Sequence, residues 1–317
     1  MLDKLSDKSV LVTGATGFIG TNLVHALAPK GIALHALVRP TSDPSRINEL
    51  SSYAKLHYAD LRDQTTLESI VSAIDPNYIL HLAATPDHSQ TLSQCREALE
   101  TSILGTFNLL QAASSLKHLK KVIVAGSLLT DSYSQVASAE LISFRSIPKS
   151  SERMLATWLA QNLKLPVLVL LIARAYGPFE KVTRFVPQLI NAHIRNQVLE
   201  LTAEPCFRDF IHTDDLSQAF LQAMTVETTP GAIFELGSGQ LTSTHAVVQQ
   251  FEKLIGCEVK KHPGKYPQLQ ALMHTHAANI TETCRILNWS PQVDLSAGLS
   301  KTFEWYKNEW HKNNPTF

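Results

Sequence analysis

The sequence predicts an α/β fold, a doubly wound parallel sheet of the Rossmann type with a smaller C-terminal α/β lobe, and three observations predict it. Short β-branched runs alternate with longer amphipathic segments through the first third of the chain, the pattern of parallel strands joined by crossover helices. Gly14, Gly17 and Gly20 stand at even spacing between the first such run and the first helical segment. Pro178, Pro187, Pro205, Pro230, Pro263 and Pro267 break the later part into short pieces, as expected of a region that caps a substrate.

Val10-Leu11-Val12 reads as the first strand, Asn22 to Ala28 as the continuation of the first helix, and Ala33 to Val38, after a turn at Gly31, as the second strand. Further buried strands are expected at Lys55 to Tyr58, Tyr78 to Leu82, Val122 to Ala125 and Val167 to Ile172. Phe210-Ile211-His212 and Ile233 to Leu236 are expected to return to the main sheet. Residues 1–177, rejoined by about 209–236, would then form the dinucleotide-binding half, with 178–208 and 237–317 as the substrate-binding lobe. A helix from Pro148 to Asn162 should begin near Lys149, because Pro suits a first turn and biases the preceding Ile147 toward extended backbone. Met154, Leu155, Trp158 and Leu159, at helical spacing, read as core and as a dimer surface.

Composition narrows the partners. The 317 residues are 44% hydrophobic and carry 28 basic against 28 acidic side chains, so no field concentrates nucleic acid or an anionic membrane, and a small molecule is the expected partner. No apolar run approaches the ~20 residues of a membrane span, and the charged N-terminus, with Asp3, Lys4, Asp7 and Lys8, is unlike a signal peptide, so a cytoplasmic protein is expected. Cys95, Cys206, Cys257 and Cys284 form no Cys-x-x-Cys pair and are expected to be buried thiols. His212, Asp214 and Asp215 are read as sheet-edge and helix-capping residues, and no metal is expected.

Glycines between a strand and a helix let the backbone turn tightly and let a pyrophosphate approach the helix N-terminus, where free N–H groups point outward. The loop Gly14-Ala15-Thr16-Gly17-Phe18-Ile19-Gly20 is therefore the expected phosphate site. The second strand ends Val38-Arg39-Pro40, where many NAD sites place an acidic residue for the ribose hydroxyls. A guanidinium there favours a 2′-phosphate, hence NADP over NAD, with stacking of Arg39 on the adenine as the alternative.

Thr13-Gly14-Ala15-Thr16-Gly17-Phe18-Ile19-Gly20, Asp60-Leu61-Arg62-Asp63, His81-Leu82-Ala83-Ala84, Ala175-Tyr176-Gly177-Pro178, Arg208 to Asp215 and Leu287-Asn288-Trp289-Ser290-Pro291 resemble the extended short-chain dehydrogenase/reductase family, in its NAD-dependent epimerase/dehydratase branch. The resemblance implies that Asp60 and Leu61 contact the adenine and that Leu82, Ala83 and Ala84 line the cofactor cleft. It also implies hydride chemistry assisted by a Ser and a Tyr-x-x-x-Lys pair. Ser127 matches the Ser and Lys149 the Lys, which would also hold the nicotinamide ribose. Arg208 resembles the arginine that grips a nucleotide-sugar diphosphate, a salt bridge to Asp209 or Asp214 being the alternative.

The chain departs from that pattern where a proton donor is needed. Arg145, not Tyr, stands four residues before Lys149, and the interval from Ser127 to Lys149 looks shortened. Arg174 replaces the Asn expected two before Tyr176, and Ser102 the Asn ahead of Gly105-Thr106. Tyr133 is a candidate replacement acid, whereas Arg145 and Arg174 are candidates for gripping a substrate anion. Three readings stay open: an oxidoreductase, epimerase or dehydratase of a nucleotide-linked sugar; an NADPH-dependent reductase of a non-sugar carbonyl; and a cofactor-binding regulatory protein without redox turnover.

Overall fold

The run Ser9–Thr13 forms strand β1, buried over Val10 to Thr13, as a strand covered on both faces must be. After it come α1 (Phe18–Leu27), β2 (Ala33–Val38), α2 (Pro44–Ser51), β3 (Lys55–Tyr58), α3 (Gln64–Ile74) and β4 (Tyr78–His81). α4 (Leu92–Leu99) runs through a π-helical turn, Glu100–Leu104, into α5 (Gly105–Ser114), then β5 (Lys121–Ser127), α6 (Ser146–Leu163) and β6 (Val167–Ile172). This is a computed structural model, and it describes residues 5–85, 91–128, 144, 146–264 and 276–313.

The later part contributes β7 (Arg174–Tyr176), α7 (Phe185–Ile194), β8 (Leu199–Leu201), β9 (Phe207–Arg208), β10 (Phe210–His212), α8 (Thr213–Thr225) and β11 (Ala232–Leu236). It ends with β12 (Thr242–Ser243), α9 (Thr244–Ile255), β13 (Lys261–Pro263), α10 (Thr281–Leu287) and α11 (Leu295–Asn313). The main sheet has seven parallel strands in the order β3-β2-β1-β4-β5-β6-β11. The doubly wound sheet expected from the sequence is present. Because β1 lies between β2 and β4, successive crossovers run in opposite directions from it and open a crevice at the carboxyl ends of the strands.

Two hydrophobic clusters flank the sheet. One gathers Leu23, Leu27, Leu80, Phe220 and Met224 beneath α1 and α8, and the other gathers Leu67, Val71, Leu109, Val124 and Leu159 beneath α3, α5 and α6. A third cluster, with Tyr176, Leu189, Phe210, Phe251 and Tyr306, is the core of the smaller lobe. Lys121, buried at the start of β5, donates to the carbonyls of Ala223 and Val226 and so caps the end of α8. Burial there pushes its ammonium down to about 8. No helix among the described residues is long and apolar enough to cross a membrane.

Four expectations are corrected. Phe210–His212 does not return to the main sheet: β10 pairs in parallel with β7, because from Arg174 onward the chain turns its N–H from β11 to the Asp209 carbonyl, after the last β6–β11 bond from Ala173 to Leu236. The helix α6 starts at Ser146, with Ile147 already helical and its N–H on the Phe144 carbonyl. Pro148 is tolerated because its missing N–H is one the first turn leaves unused. Met154 and Trp158 lie on the solvent side of α6, while Ala156, Leu159 and Ala160 pack inward. Of the four thiols only Cys206 is buried, and Cys257, just past the left-handed Gly256 that ends α9, is exposed.

Candidate active site

Gly14 leaves β1 with φ +69°, and a Cβ there would stand 2.6 Å from the backbone nitrogen of Ala83, which follows β4. Its hydrogen thus lets the loops after β1 and β4 touch across the crevice. A Cβ on Gly20 would meet the Gly14 carbonyl oxygen at 2.2 Å, so the first turn of α1 lies directly on the loop. Gly17 is different: it is exposed, and a Cβ there would meet only that same oxygen, at 3.1 Å. Two glycines serve internal packing, and the third leaves open the face beside the N-terminus of α1, where Thr16, Phe18 and Ile19 are half-buried.

Away from the loop, Arg39 follows β2 and forms a tight turn in which its N–H donates to the Ser42 hydroxyl at 3.2 Å. Its guanidinium faces Glu97 of α4 at 3.6 Å. Asp60 is held by Arg62, with the guanidinium at 2.9 and 2.7 Å from the two carboxylate oxygens, and these bonds lower the Asp60 carboxyl. Leu61 is buried against Gly105, while Leu82 and Ala83 are half-buried and Ala84 exposed along the crevice.

A buried polar chain links the loop to the next wall. His81, 0% exposed at the end of β4, places Nδ1 at 2.7 Å from the Thr13 hydroxyl and Nε2 at 2.9 Å from the Thr106 hydroxyl. Burial drives its imidazole down to about 3, so it is neutral and carries one ring proton. Glu152, 1% exposed, has one oxygen 3.6 Å from His81 Nε2 and the other 2.6 Å from the Lys149 ammonium. Burial pushes Glu152 up, opposed by Lys149 and Thr106. Lys149 also donates to the Ala125 carbonyl at 3.2 Å, two residues before Ser127.

Ser127, the last residue of β5, lies opposite Ile172 in the register of β6. The structure thus brings Ser127 and Lys149 to one wall of the crevice, with Lys149 drawn inward by Glu152 rather than extended. Tyr133 and Arg145 lie outside the described residues.

Beyond the main sheet, Arg174 opens β7 and reaches Glu180 at 3.4 Å. Glu180 is buried, which pushes its carboxyl up to about 7 against the pull of Arg174. Burial lowers Arg208, and the like charge of Arg174 adds to the effect. The Asp209 carboxylate accepts from the backbone N–H groups of Ser238, Gly239 and Ala278 and from the Ser238 hydroxyl. Asp214 pairs with Lys301 at 2.7 Å. His212 caps α8 by accepting from the Asp214 N–H, and Asp215 accepts from Gln292 and Val293.

Sequence reasoning missed Glu97, Thr106, Glu152, Glu180 and Ser42 as site residues. Glu152 had a readable signal, three residues after a Lys on a helix. The other links, His81 to Glu152 and Arg39 to Glu97, join elements far apart in the chain and become visible only once the sheet is assembled.

Comparison with known proteins agrees with this architecture. Residues 10–237 match the model of the NAD dependent epimerase/dehydratase family. The chain is 24% identical to a dTDP-glucose 4,6-dehydratase of Neisseria meningitidis, over 96% of each chain. It is 25% identical to a CDP-abequose synthase of Salmonella muenchen, over 93% of this chain and 97% of that one. Among solved structures, a UDP-glucose 4-epimerase of Thermotoga maritima with UDP-glucose superimposes with a TM-score of 0.82 at 23% identity, over 95% of this chain and 99% of that one. A UDP-glucuronic acid 4-epimerase of Bacillus cereus, in complex with UDP-glucuronic acid and NAD, does so with a TM-score of 0.81 at 24% identity, over the same shares.

Proposed function

This chain belongs to the NAD dependent epimerase/dehydratase family, and from that premise we propose that it is an enzyme that binds a nicotinamide dinucleotide and oxidises, reduces, epimerises or dehydrates a nucleotide-linked sugar. The observation that carries the reading is the convergence, at the carboxyl ends of β1, β4 and β5, of the glycine loop with Ser127 and Lys149. The residues present fit the cofactor: the open face at Gly17 beside the α1 N-terminus suits a pyrophosphate, Asp60 and Leu61 suit the adenine end, and Leu82 to Ala84 suit the floor. The nicotinamide, when bound, supplies or accepts the hydride. Ser127 orients the reacting oxygen, and Lys149, anchored by Glu152, presents a charged donor where the family would have Tyr assistance. Tyr133 is proposed as a second acid. Arg174, Arg208 and Arg145 are proposed to hold the substrate's phosphates, as bidentate donors suit.

NADP is proposed over NAD. Support comes from Arg39, with the Ser42 hydroxyl beside it in the same turn and Arg62 on the neighbouring strand end. NADPH should bind at least about tenfold more tightly than NADH in a fluorescence titration, a difference of about 1.4 kcal/mol. Equal affinities would remove this part of the reading.

Incubation with the cofactor and a panel of nucleotide-linked hexoses and their 4-keto derivatives tests the activity. Turnover of at least one, lost by a factor of about a hundred or more in Ser127→Ala and Lys149→Ala, is the expected result. Competition by UDP or dTDP separates this reading from a carbonyl reductase, which would bind neither. Cofactor binding without turnover would favour a regulatory protein.

We also propose that two copies pair through α5 and α6. Phe107 of α5 and Met154 and Trp158 of α6 stand exposed, as does Leu104 just before α5, and a hollow of about 390 Å³ is lined by Leu99, Glu100, Ile103, Leu104, Phe107 and Leu155. A contiguous apolar face of this kind marks an interface. Sedimentation should show a dimer, and Phe107→Asp with Trp158→Asp a monomer.

A further inference from the structure

Arg174 and Glu180 form a pair whose two members are held very differently. Glu180 is fixed: its backbone carbonyl accepts from the hydroxyl of Tyr306 on α11, and Phe179 before it adopts a left-handed φ of +67° and packs against Trp305 and His25. Its carboxylate has one oxygen toward Arg174, and its other oxygen, Oε2, is buried without a hydrogen-bond partner among the described residues. Arg174 is a long side chain, 26% exposed, and its backbone N–H donates to the carbonyl of Asp209, the residue after Arg208. The other charged or titratable groups packed around this loop are Arg46, whose guanidinium lies 4.5 Å over the Phe179 ring, and His25, Lys181 and Arg184.

Arg174, paired at 3.4 Å with an internal carboxylate, is a site for an anion that the protein itself already fills. We propose that Glu180 is a built-in competitor for Arg174: when a nucleotide diphosphate enters, Arg174 leaves Glu180 for the phosphates, and the stranded, buried Glu180 carboxylate takes one proton from solvent. The proposal rests on the nucleotide-sugar reading and deepens it. The balance is simple, since the ion pair Glu180–Arg174 is replaced by a neutral carboxylic acid and an Arg174–phosphate pair, with one proton consumed. The exchange is imposed by burial, because a carboxylate left unpaired in that position has lost its water and gained no substitute. It makes Glu180 a positioning residue, which acts on substrate only through Arg174.

The test uses UDP-glucose and dTDP-glucose, whose diphosphodiesters do not titrate near neutrality. Binding enthalpies are measured on the whole protein in buffers of different ionisation enthalpy, which counts protons taken up. Wild type should take up close to one proton at pH 8 and almost none at pH 5.5, where Glu180 is already neutral. Glu180→Gln should take up none at either pH and should bind about tenfold more tightly at pH 8, since Arg174 is released in advance. Binding by wild type without proton uptake at pH 8 overturns the proposal, whatever the variant does. Failure of both ligands to bind at any pH removes the nucleotide-sugar reading itself, and this inference with it.

Discussion

The proposed cofactor side and the proposed substrate side of the crevice are built on different principles. On the cofactor side, shape is set by backbone against backbone: Gly14 beside Ala83, and Gly20 beside Gly14. On the substrate side, shape is set by charged side chains that pair over short contacts, Arg174 with Glu180 and Lys149 with Glu152. The first kind tolerates almost no substitution and the second kind can be retuned one partner at a time. A fixed backbone loop can therefore stand unchanged beside side-chain pairs that are free to vary.

The largest effect should come from breaking the backbone side. Gly20→Ala forces a methyl to within 2.2 Å of the Gly14 oxygen, so either the loop or α1 must move. NADPH affinity should fall by a factor of at least about a hundred, or nearly 3 kcal/mol. A variant that binds as wild type does would show that the loop is more pliable than its contacts imply.

Next in size is the buried pair on the catalytic wall. Lys149→Ala leaves Glu152 buried without its cation, and removal of one partner of a buried pair costs about 3–5 kcal/mol. Glu152→Gln added to Lys149→Ala should restore most of that loss in denaturant unfolding, because the remaining amide carries no charge. Additivity of the two losses would mean that they do not share the pair. Activity should be restored in neither case, which separates the structural share of Lys149 from its share in the reaction.

How much of this was legible beforehand divides along the same line. The loop from Gly14 to Gly20 and the strands Lys55–Tyr58 and Val167–Ile172 were readable to the residue, since each signal lies within one short segment. Arg39 was readable as a charge at a strand end, but its partner Glu97 comes from α4 and Ser42 from the turn it forms. The strand Phe210–His212 was recognised and assigned to the wrong sheet, because local pattern fixes a strand's existence and only long-range pairing fixes its neighbour. Glu180 reads in sequence as an ordinary exposed residue after Pro178. Its burial depends on α11, more than a hundred residues later.

Two smaller effects sharpen the contrast. Arg39→Ser should lower the NADPH-over-NADH preference by about tenfold and leave NADH binding nearly unchanged, measured in the same titration. The smallest effect concerns stability and pH. Glu180 titrates at about 7 in the folded protein, above the ordinary carboxyl value of 4.5. Its contribution is therefore fully present below about pH 4.5 and is lost as pH rises through 7, because the folded state holds the proton more tightly. Between pH 5 and 8 the melting temperature of wild type should drop by several degrees relative to Glu180→Gln, whose neutral amide does not titrate. Parallel melting curves would place Glu180 in contact with water.

The outermost strand of the main sheet carries a consequence for biosynthesis. β11 pairs with β6 from Ala232 opposite Leu168 to Leu236 opposite Ile172, yet 59 residues of chain, 173–231, lie between the two strands. As the chain leaves the ribosome, β6 therefore waits with an open edge while β7 through α8 are made. An unpaired apolar edge, Val167-Leu168-Val169-Leu170-Leu171-Ile172, is a template for joining other chains. A nascent chain halted before Ala232 should consequently depend on chaperones, and one extended past Leu236 should not.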